Sequence, residues 1–276
     1  MAVDAVPFAA VGDNCIDRYV PPLRPDSVGG NALNVAVGFV QAGHPARYLG
    51  AVGDDDDGRL VLEAARAAGV DLDGVHVLAE PTGVTTVELL PGGERRFVHE
   101  AYGASASYRL DAEGLRLLAG SRWVHASNLG GATEAVDELA SAGHALSYDF
   151  SDRDDERLRS DLCPALQVAF FSVPGDDRAA AVELAGAARA EGAAVAVVTR
   201  GAQGSLAVHR GGTVDQEALA AHVVDTLGAG DAFIAAFVAA FAVGGSIQTA
   251  LRRGAQAAAR TCEIVGPWPA AKEVRA

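Results

Sequence analysis

A carboxylate beside a glycine turn is the feature of this chain that most needs a chemical reason. In "VVDTLGAGDAFIAAFVAAF" (residues 223–241), Asp231 follows Gly228-Ala229-Gly230 and opens an almost wholly apolar run. The first amides of a helix lack intrahelical partners and, with the macrodipole, attract anions. Glycines at 228 and 230 let the backbone come close to a phosphate. A carboxylate there repels that phosphate, and Ser or Thr would cap the helix as well. One reading makes Asp231 a general base that takes the proton of an attacking hydroxyl. The amides of Gly228, Ala229 and Gly230 then stabilise charge on a transferred phosphoryl group. The other makes Asp231 an N-cap and the glycines a tight turn. Spacing alone leaves both open. A dinucleotide fingerprint fits poorly, because Phe233 stands at its third glycine and Arg252-Arg253 follow where an acidic residue is needed.

Three further stretches carry polar groups at element ends. Asp13 and Asn14 close an apolar strand, while Gly29, Gly30, Asn31 and Asn34 open a helix with both asparagines on one face. Such side chains suit polyol hydroxyls, and equally a helix cap and an Asp turn. In "VVTRGAQGSLAV", Thr199, Arg200, Gly201 and Gly204 end a buried strand. They suit nucleotide phosphates or a plain glycine-rich hairpin. Asp54–Asp57 read as a solvated helix start, and Arg95 and Arg96 as solvated hairpin residues with a lesser reading as substrate contacts. His125 follows an apolar strand toward the cleft or into a half-buried site.

Composition narrows the chemistry. The 276 residues are half hydrophobic and carry a net charge of −14. That balance disfavours nucleic acid and anionic membranes as partners. Of 22 basic residues only Lys272 is a lysine, so a P-loop, a protein-kinase site and a Schiff-base site would each need a tail residue. Cys15, Cys163 and Cys262 form no CxxC, and the seven histidines show no metal spacing. With no basic leader before the first apolar segment, a cytoplasmic location is expected. The longest apolar run, 232–245, is too short to span a bilayer.

The elements that must position these residues alternate. "VPFAAVG", "ARYLGAVG", "SRWVHAS", "HALSYDFS", "ALQVAFFSV", "AAVAVVTRG" and "GSLAVHRGG" read as strands, and "HVVD" as a strand before the glycine turn. "GGNALNVAVGFVQAG", "DDDDGRLVLEAARAAGV", "GATEAVDELASAG", "DDRAAAVELAGAARAEG" and two C-terminal segments read as helices. This predicts a mainly parallel sheet covered on both faces. A hairpin over 83–103, turning at Pro91-Gly92-Gly93, with the segment 14–28, breaks the rhythm as a small β-flap. Ligands of open α/β sheets bind at the carboxyl ends of strands, where such a flap would cover them.

Taken together, Asp13, "GGNALN", "GAVGDDDDG", "VVTRGAQGS" and "DTLGAGDAF" resemble the ribokinase-type (PfkB) sugar kinases from about residue 8 to 265. The resemblance implies one α/β domain over 1–276, a ribokinase-like three-layer sandwich with a mainly parallel central sheet and a small β-lid. It implies ATP and Mg2+, in some members a monovalent cation such as K+, and a homodimer through the lid. It makes Asp231 the base and Gly228, Ala229 and Gly230 the anion hole. Asp13, Gly29, Gly30, Asn31 and Asn34 would grip the sugar. Thr199, Arg200, Gly201, Gly204, Asp225, Thr226 and Ala258 would serve the nucleotide side. A narrower likeness, carried by "GDNCID", "VGGNALNVAV", "VELLPGGERRF" and "SYDFSD", points to members acting on fructosamines. Glu88, Glu94 and Glu100 would then meet the substrate's amine. Other sugars, nucleosides or a non-catalytic sensing role remain open. The family's Asn-x-x-Glu, which organises magnesium, is replaced by Ser172 and Gly175, with Asp176 or Asp177 as shifted substitutes, so no metal ligands are assigned.

Overall fold

Strand β1 (Phe8–Val11) is four apolar residues, all buried. Its side chains divide between two cores, Phe8 and Ala10 in one, Ala9 and Val11 in the other. A parallel strand covered on both faces requires this. The computed structural model describes residues 7–20, 26–90, 94–128, 130–153, 155–173 and 175–269. Lys272, the Pro91-Gly92-Gly93 turn and residues 21–25 of the flap segment lie outside the described residues.

The remaining strands are β2 (Cys15–Tyr19), β3 (Ser27–Gly29), β4 (Ala46–Gly53), β5 (Asp71–Leu78), β6 (Val84–Leu89), β7 (Arg95–Ala101), β8 (Trp123–Ser127), β9 (Ala145–Asp149), β10 (Val168–Ser172), β11 (Val195–Thr199), β12 (Ser205–His209) and β13 (Gly212–Gln216). Nine of them form a sheet in the order β13-β12-β11-β10-β9-β8-β1-β4-β5. Only β12 pairs antiparallel with its neighbours. The other four form a small sheet, β3-β2-β6-β7.

The helices are α1 (Asn31–Gln41), α2 (Asp56–Ala67), α3 (Ala104–Ser107), α4 (Ala112–Leu118), α5 (Val136–Ser141), α6 (Glu156–Leu162), α7 (Arg178–Ala190), α8 (Ala229–Ala242) and α9 (Ile247–Thr261). Helices α1, α2, α8 and α9 cover the face of Phe8, and α3 to α7 the face of Ala9. The result is the three-layer α/β architecture. Helix α8 is apolar nearly all round because it lies inside its layer, between α1 and α9 and against the sheet.

Local expectations meet three corrections. His222–Asp225 is not a strand. Val224 and Asp225 donate only to the carbonyl of Cys262 at the end of α9, and Val223 is exposed. The helix over "GATEAVDELASAG" is a 3-10 turn, Thr133–Ala135, followed by the short α5. Strand β5 escapes the sequence pattern because Gly74 interrupts it and its register with β4 shifts between Arg47 and Leu49.

Candidate active site

The carboxyl ends of the parallel strands carry a run of polar groups. Asp13 follows β1, and Ser127, Asp149, Ser172 and Thr199 end β8, β9, β10 and β11. Opposite them stands the N-terminus of α8. Gly228 caps it at φ 74, and Asp231 lies in its first turn. The small sheet closes over both, leaving a cavity of about 500 Å³. Asp13, Gly30, Asn31, Asn34, Glu100, Thr199, Gly228, Gly230 and Asp231 line it. Gly29, Arg200, Gly201, Gly204, Asp225, Thr226, Ala229 and Ala258 stand outside that lining.

Asp231 is held on both oxygens. Asn31 Nδ2 donates to Oδ1 at 2.8 Å and Asn34 Nδ2 to Oδ2 at 2.7 Å. The same Asn31 amide donates to Asp149 Oδ2 at 2.7 Å. Both amides are oriented from behind. Trp268 Nε1 donates to Asn34 Oδ1 at 2.9 Å. His125, fully buried and outside the cavity lining, lies 3.3 Å from Asn31 Oδ1 through Nε2 and 3.0 Å from Ser147 Oγ through Nδ1. Burial pushes its imidazole down to about 3, so it is neutral. With its proton on Nε2 it donates to Asn31.

Asp13 plays a different local part from the asparagines. Its carboxylate accepts from the Asn31 amide at 2.9 Å, the Ala32 amide at 3.2 Å and Ser127 Oγ at 3.2 Å, which caps α1 from the neighbouring strand. Gly30 makes this possible at φ 104, since a Cβ there would lie 2.4 Å from Asn14 Cα. Gly29 touches Asp17 in the same way, with Oδ2 2.2 Å from a would-be Cβ.

Several lining residues were not singled out from the sequence. Asp17 faces inward from β2, Asp149 ends β9, and Arg153 follows it, 3.8 Å from Glu100. Burial raises Asp17 and Asp149 to about 7 and Asp231 to about 6, the last moderated by the Asn34 hydrogen bond and the charge of Arg95. Arg95 is a correction: it is not a solvated hairpin residue but lines the cavity, its Nη1 donating to the Thr226 carbonyl at 2.8 Å. Arg96 pairs with Glu88 at the surface. Asp57 pairs with Arg18, and Asp55 caps α2.

On the residues expected to serve the nucleotide the geometry is mixed. Thr199 lies in register with Ser172 on the cavity wall. Gly201 and Gly204 adopt φ 54 and 85 in the turn between β11 and β12, and Arg200 donates to the Gln203 carbonyl within that turn. Asp225 is completely buried and accepts from Tyr19 Oη at 2.6 Å and from the amides of Leu227 and Gly266 at 2.9 and 3.0 Å. It thereby ties the small sheet to the loop before α8. Ala258 sits half-buried on α9.

No group of three or more His, Cys, Asp or Glu side chains among the described residues is arranged to hold a metal ion. Gly175 offers no ligand, Asp176 is exposed, and Asp177 caps α7. This donor set does not fit a metal held by the protein itself. No described helix is long and apolar enough to cross a membrane.

A cleft between the carboxyl edge of a parallel sheet and a β-sheet above it is the build of the ribokinase-like sugar kinases, and comparison with known proteins agrees. The chain belongs to the pfkB family of carbohydrate kinases, whose pattern matches residues 26–162 and 167–270, and it is accordingly an ATP-dependent sugar kinase. It is 37% identical to fructoselysine 6-kinase of Shigella flexneri over 95% of this chain and 99% of that one. It is 34% identical to the fructosamine kinase FrlD of Bacillus subtilis, over 94% and 92%. Among solved structures, Arabidopsis thaliana ribokinase complexed with ribose and ATP superposes with a TM-score of 0.81, covering 95% and 94% at 24% identity, which shows the fold.

Proposed function

We propose that this chain transfers the γ-phosphoryl group of ATP to the 6-hydroxyl of fructoselysine or a closely related fructosamine. The observation that carries the chemistry is Asp231, fixed by Asn31 and Asn34 in the cavity beside the glycine start of α8. The full-length likeness to fructoselysine and fructosamine kinases supports the acceptor.

In this mechanism the sugar hydroxyl attacks the γ-phosphorus. The new O–P bond forms as the bond to the β,γ-bridging oxygen breaks, and ADP leaves. Asp231 takes the hydroxyl proton, and the amides at Gly228 and Gly230 face the developing charge; the Ala229 amide, bonded to the Thr226 carbonyl at 3.3 Å, would exchange that bond to join them. Asn31, Asn34 and Asp13 order the sugar side, with Glu100 toward the amine. Thr199, Arg200, Gly201, Gly204, Thr226 and Ala258 form the nucleotide side. Mg2+ would supply neutralisation of phosphate charge and would have to come with ATP, since Ser172, Gly175, Asp176 and Asp177 offer it little. A K+ ion near Asp225 would have to share a carboxylate already engaged by Tyr19, Leu227 and Gly266. Exchanging K+ for a bulky organic cation tests that site through kcat.

The small sheet acts as a lid on a single cytoplasmic domain. Its edge strand β7 exposes Phe97 and Val98, which supports pairing of two lids in a homodimer, checked by light scattering. An ADP-release screen over ketoses, fructosamines and nucleosides tests the acceptor. A preference for nucleosides or free ketoses would overturn the fructosamine reading, and binding without turnover across the panel would make the chain a sensor.

A further inference from the structure

The cavity is chemically lopsided. Asp13, Asp17, Asp149, Asp152, Glu100 and Asp231 line it, against two guanidinium groups. Polyphosphate and a phosphoryl group in flight must enter this acidic space, and charge of their own sign opposes them. Beyond any Mg2+ that would accompany ATP, a protein cation near the point of transfer would offset that opposition. The chain's one lysine, Lys272, lies outside the described residues. Arg153 stands at the exposed wall against Glu100. That leaves Arg95.

Its position is specific. Arg95 opens β7 in the small sheet, yet its Nη1 crosses to the main body and donates to the Thr226 carbonyl at 2.8 Å. Thr226 opens the turn into α8, and its carbonyl also accepts from the Ala229 amide at 3.3 Å. The guanidinium lies 5.3 Å from the Phe97 ring and acts electrostatically on both Asp17 and Asp231. Its Nε is buried and has no hydrogen-bond partner. A buried guanidinium donor left unmatched costs free energy in the empty protein, so it marks a place where a ligand acceptor belongs.

We propose that Arg95 is a catalytic residue whose guanidinium binds the phosphoryl group during its transfer to the sugar, so that the lid delivers the charge as it closes. This rests on the assignment of Asp231 and the α8 start as the reacting centre. Arginine suits the task because it stays charged and presents several donors in a plane, one already spent on Thr226. Closure of the small sheet over an acceptor and placement of the positive charge then become one event.

The test compares Arg95→Ala, Arg95→Gln and Arg95→Lys with wild type and with Asp231→Asn, on the acceptor the wild-type chain phosphorylates best. Arg95→Ala should lose roughly 10²–10³ in kcat, the usual cost of removing one donor to developing charge. Its acceptor KM should stay within about threefold, as expected for an interaction made in the transition state. Added guanidinium chloride at millimolar levels should restore at least about tenfold of that loss, by supplying the missing cation. It should leave Asp231→Asn unchanged. Arg95→Lys should fall between, and calorimetry should show weaker binding of the phosphorylated product with unchanged binding of the unphosphorylated acceptor. The proposal fails if kcat of Arg95→Ala stays within about threefold of wild type. It fails as well if the loss is confined to acceptor KM, or if a lowered Tm accompanies a loss that guanidinium does not rescue. Full activity of Asp231→Asn would instead overturn the assignment of the base.

Discussion

Asn34 holds Asp231 through a 2.7 Å hydrogen bond whose direction is fixed from behind by Trp268, which donates to the other end of the same amide. A donor aimed at a carboxylate favours its charged form. Asn34 therefore keeps Asp231 more acidic than its burial alone would make it. With Asp231 at about 6, kcat/KM should rise with pH up to about that value and level off above it. Asn34→Ala removes the donor, so the acid limb should move to higher pH by about one unit. A limb that stays in place would detach Asp231 from the rate.

The Asp231→Asn change tests the proposed base. It keeps the size of the side chain and removes the proton acceptor. Turnover should fall on the order of 10²–10⁴, while ATP still binds. Isothermal calorimetry with ATP, beside a coupled ADP assay, separates the two. Activity within about twofold of wild type would remove general-base catalysis at this position.

Gly228 and Gly230, two residues apart, make an internal control for the proposed anion hole. Gly228 sits at φ 74, and a Cβ there would lie 2.3 Å from Pro267 Cβ. Gly228→Ala should thus destabilise the fold by about 1–3 kcal/mol. A Cβ at Gly230 meets nothing within 4 Å, so Gly230→Ala should change stability by no more than about 0.5 kcal/mol. If phosphate approaches those amides, the same methyl should still cost at least about tenfold in kcat. Thermal melts paired with kinetics check both, and a fully active Gly230→Ala would move the phosphate elsewhere.

Much of this arrangement was legible as pattern. The two-core division of β1, the helix opened by Gly30 and the apolar α8 follow from periodicity and glycine placement, and the order of motifs carried the family. What escaped was which polar side chains turn inward. Asp17 shares a strand face with Cys15 and Tyr19, a period-2 signal that marks it as inward-facing. Asp149 ends an apolar strand just as Asp13 follows one. Arg95 offered no such sign, because its burial depends on the small sheet folding over a loop 131 residues away. The sequence left His125 between the cleft and a buried site; it is fully buried, and its place behind Asn31 depends on Ser147 from the adjacent strand.

Asp17 provides a prediction that stability alone can check. Burial raises its carboxyl from an ordinary 3.8 to about 7. Between those values the folded chain binds a proton that the unfolded chain has released. Stability then falls as pH climbs from about 4 to about 7, because the unfolded state binds fewer protons. At pH 8 the wild-type protein carries the whole cost of an ionised, buried carboxylate, and at pH 5 less than half of it. Asp17→Asn removes the charge while keeping the shape. It should raise Tm at pH 8, by about 2–4 °C for each kcal/mol relieved, with less than half that gain at pH 5. Because Asp17 lines the cavity, the same change should impair turnover, the familiar exchange of stability for function at a built site. Differential scanning calorimetry at the two pH values decides it. An equal or lower Tm at pH 8 would mean that Arg95 and the cavity already neutralise this charge in the folded protein.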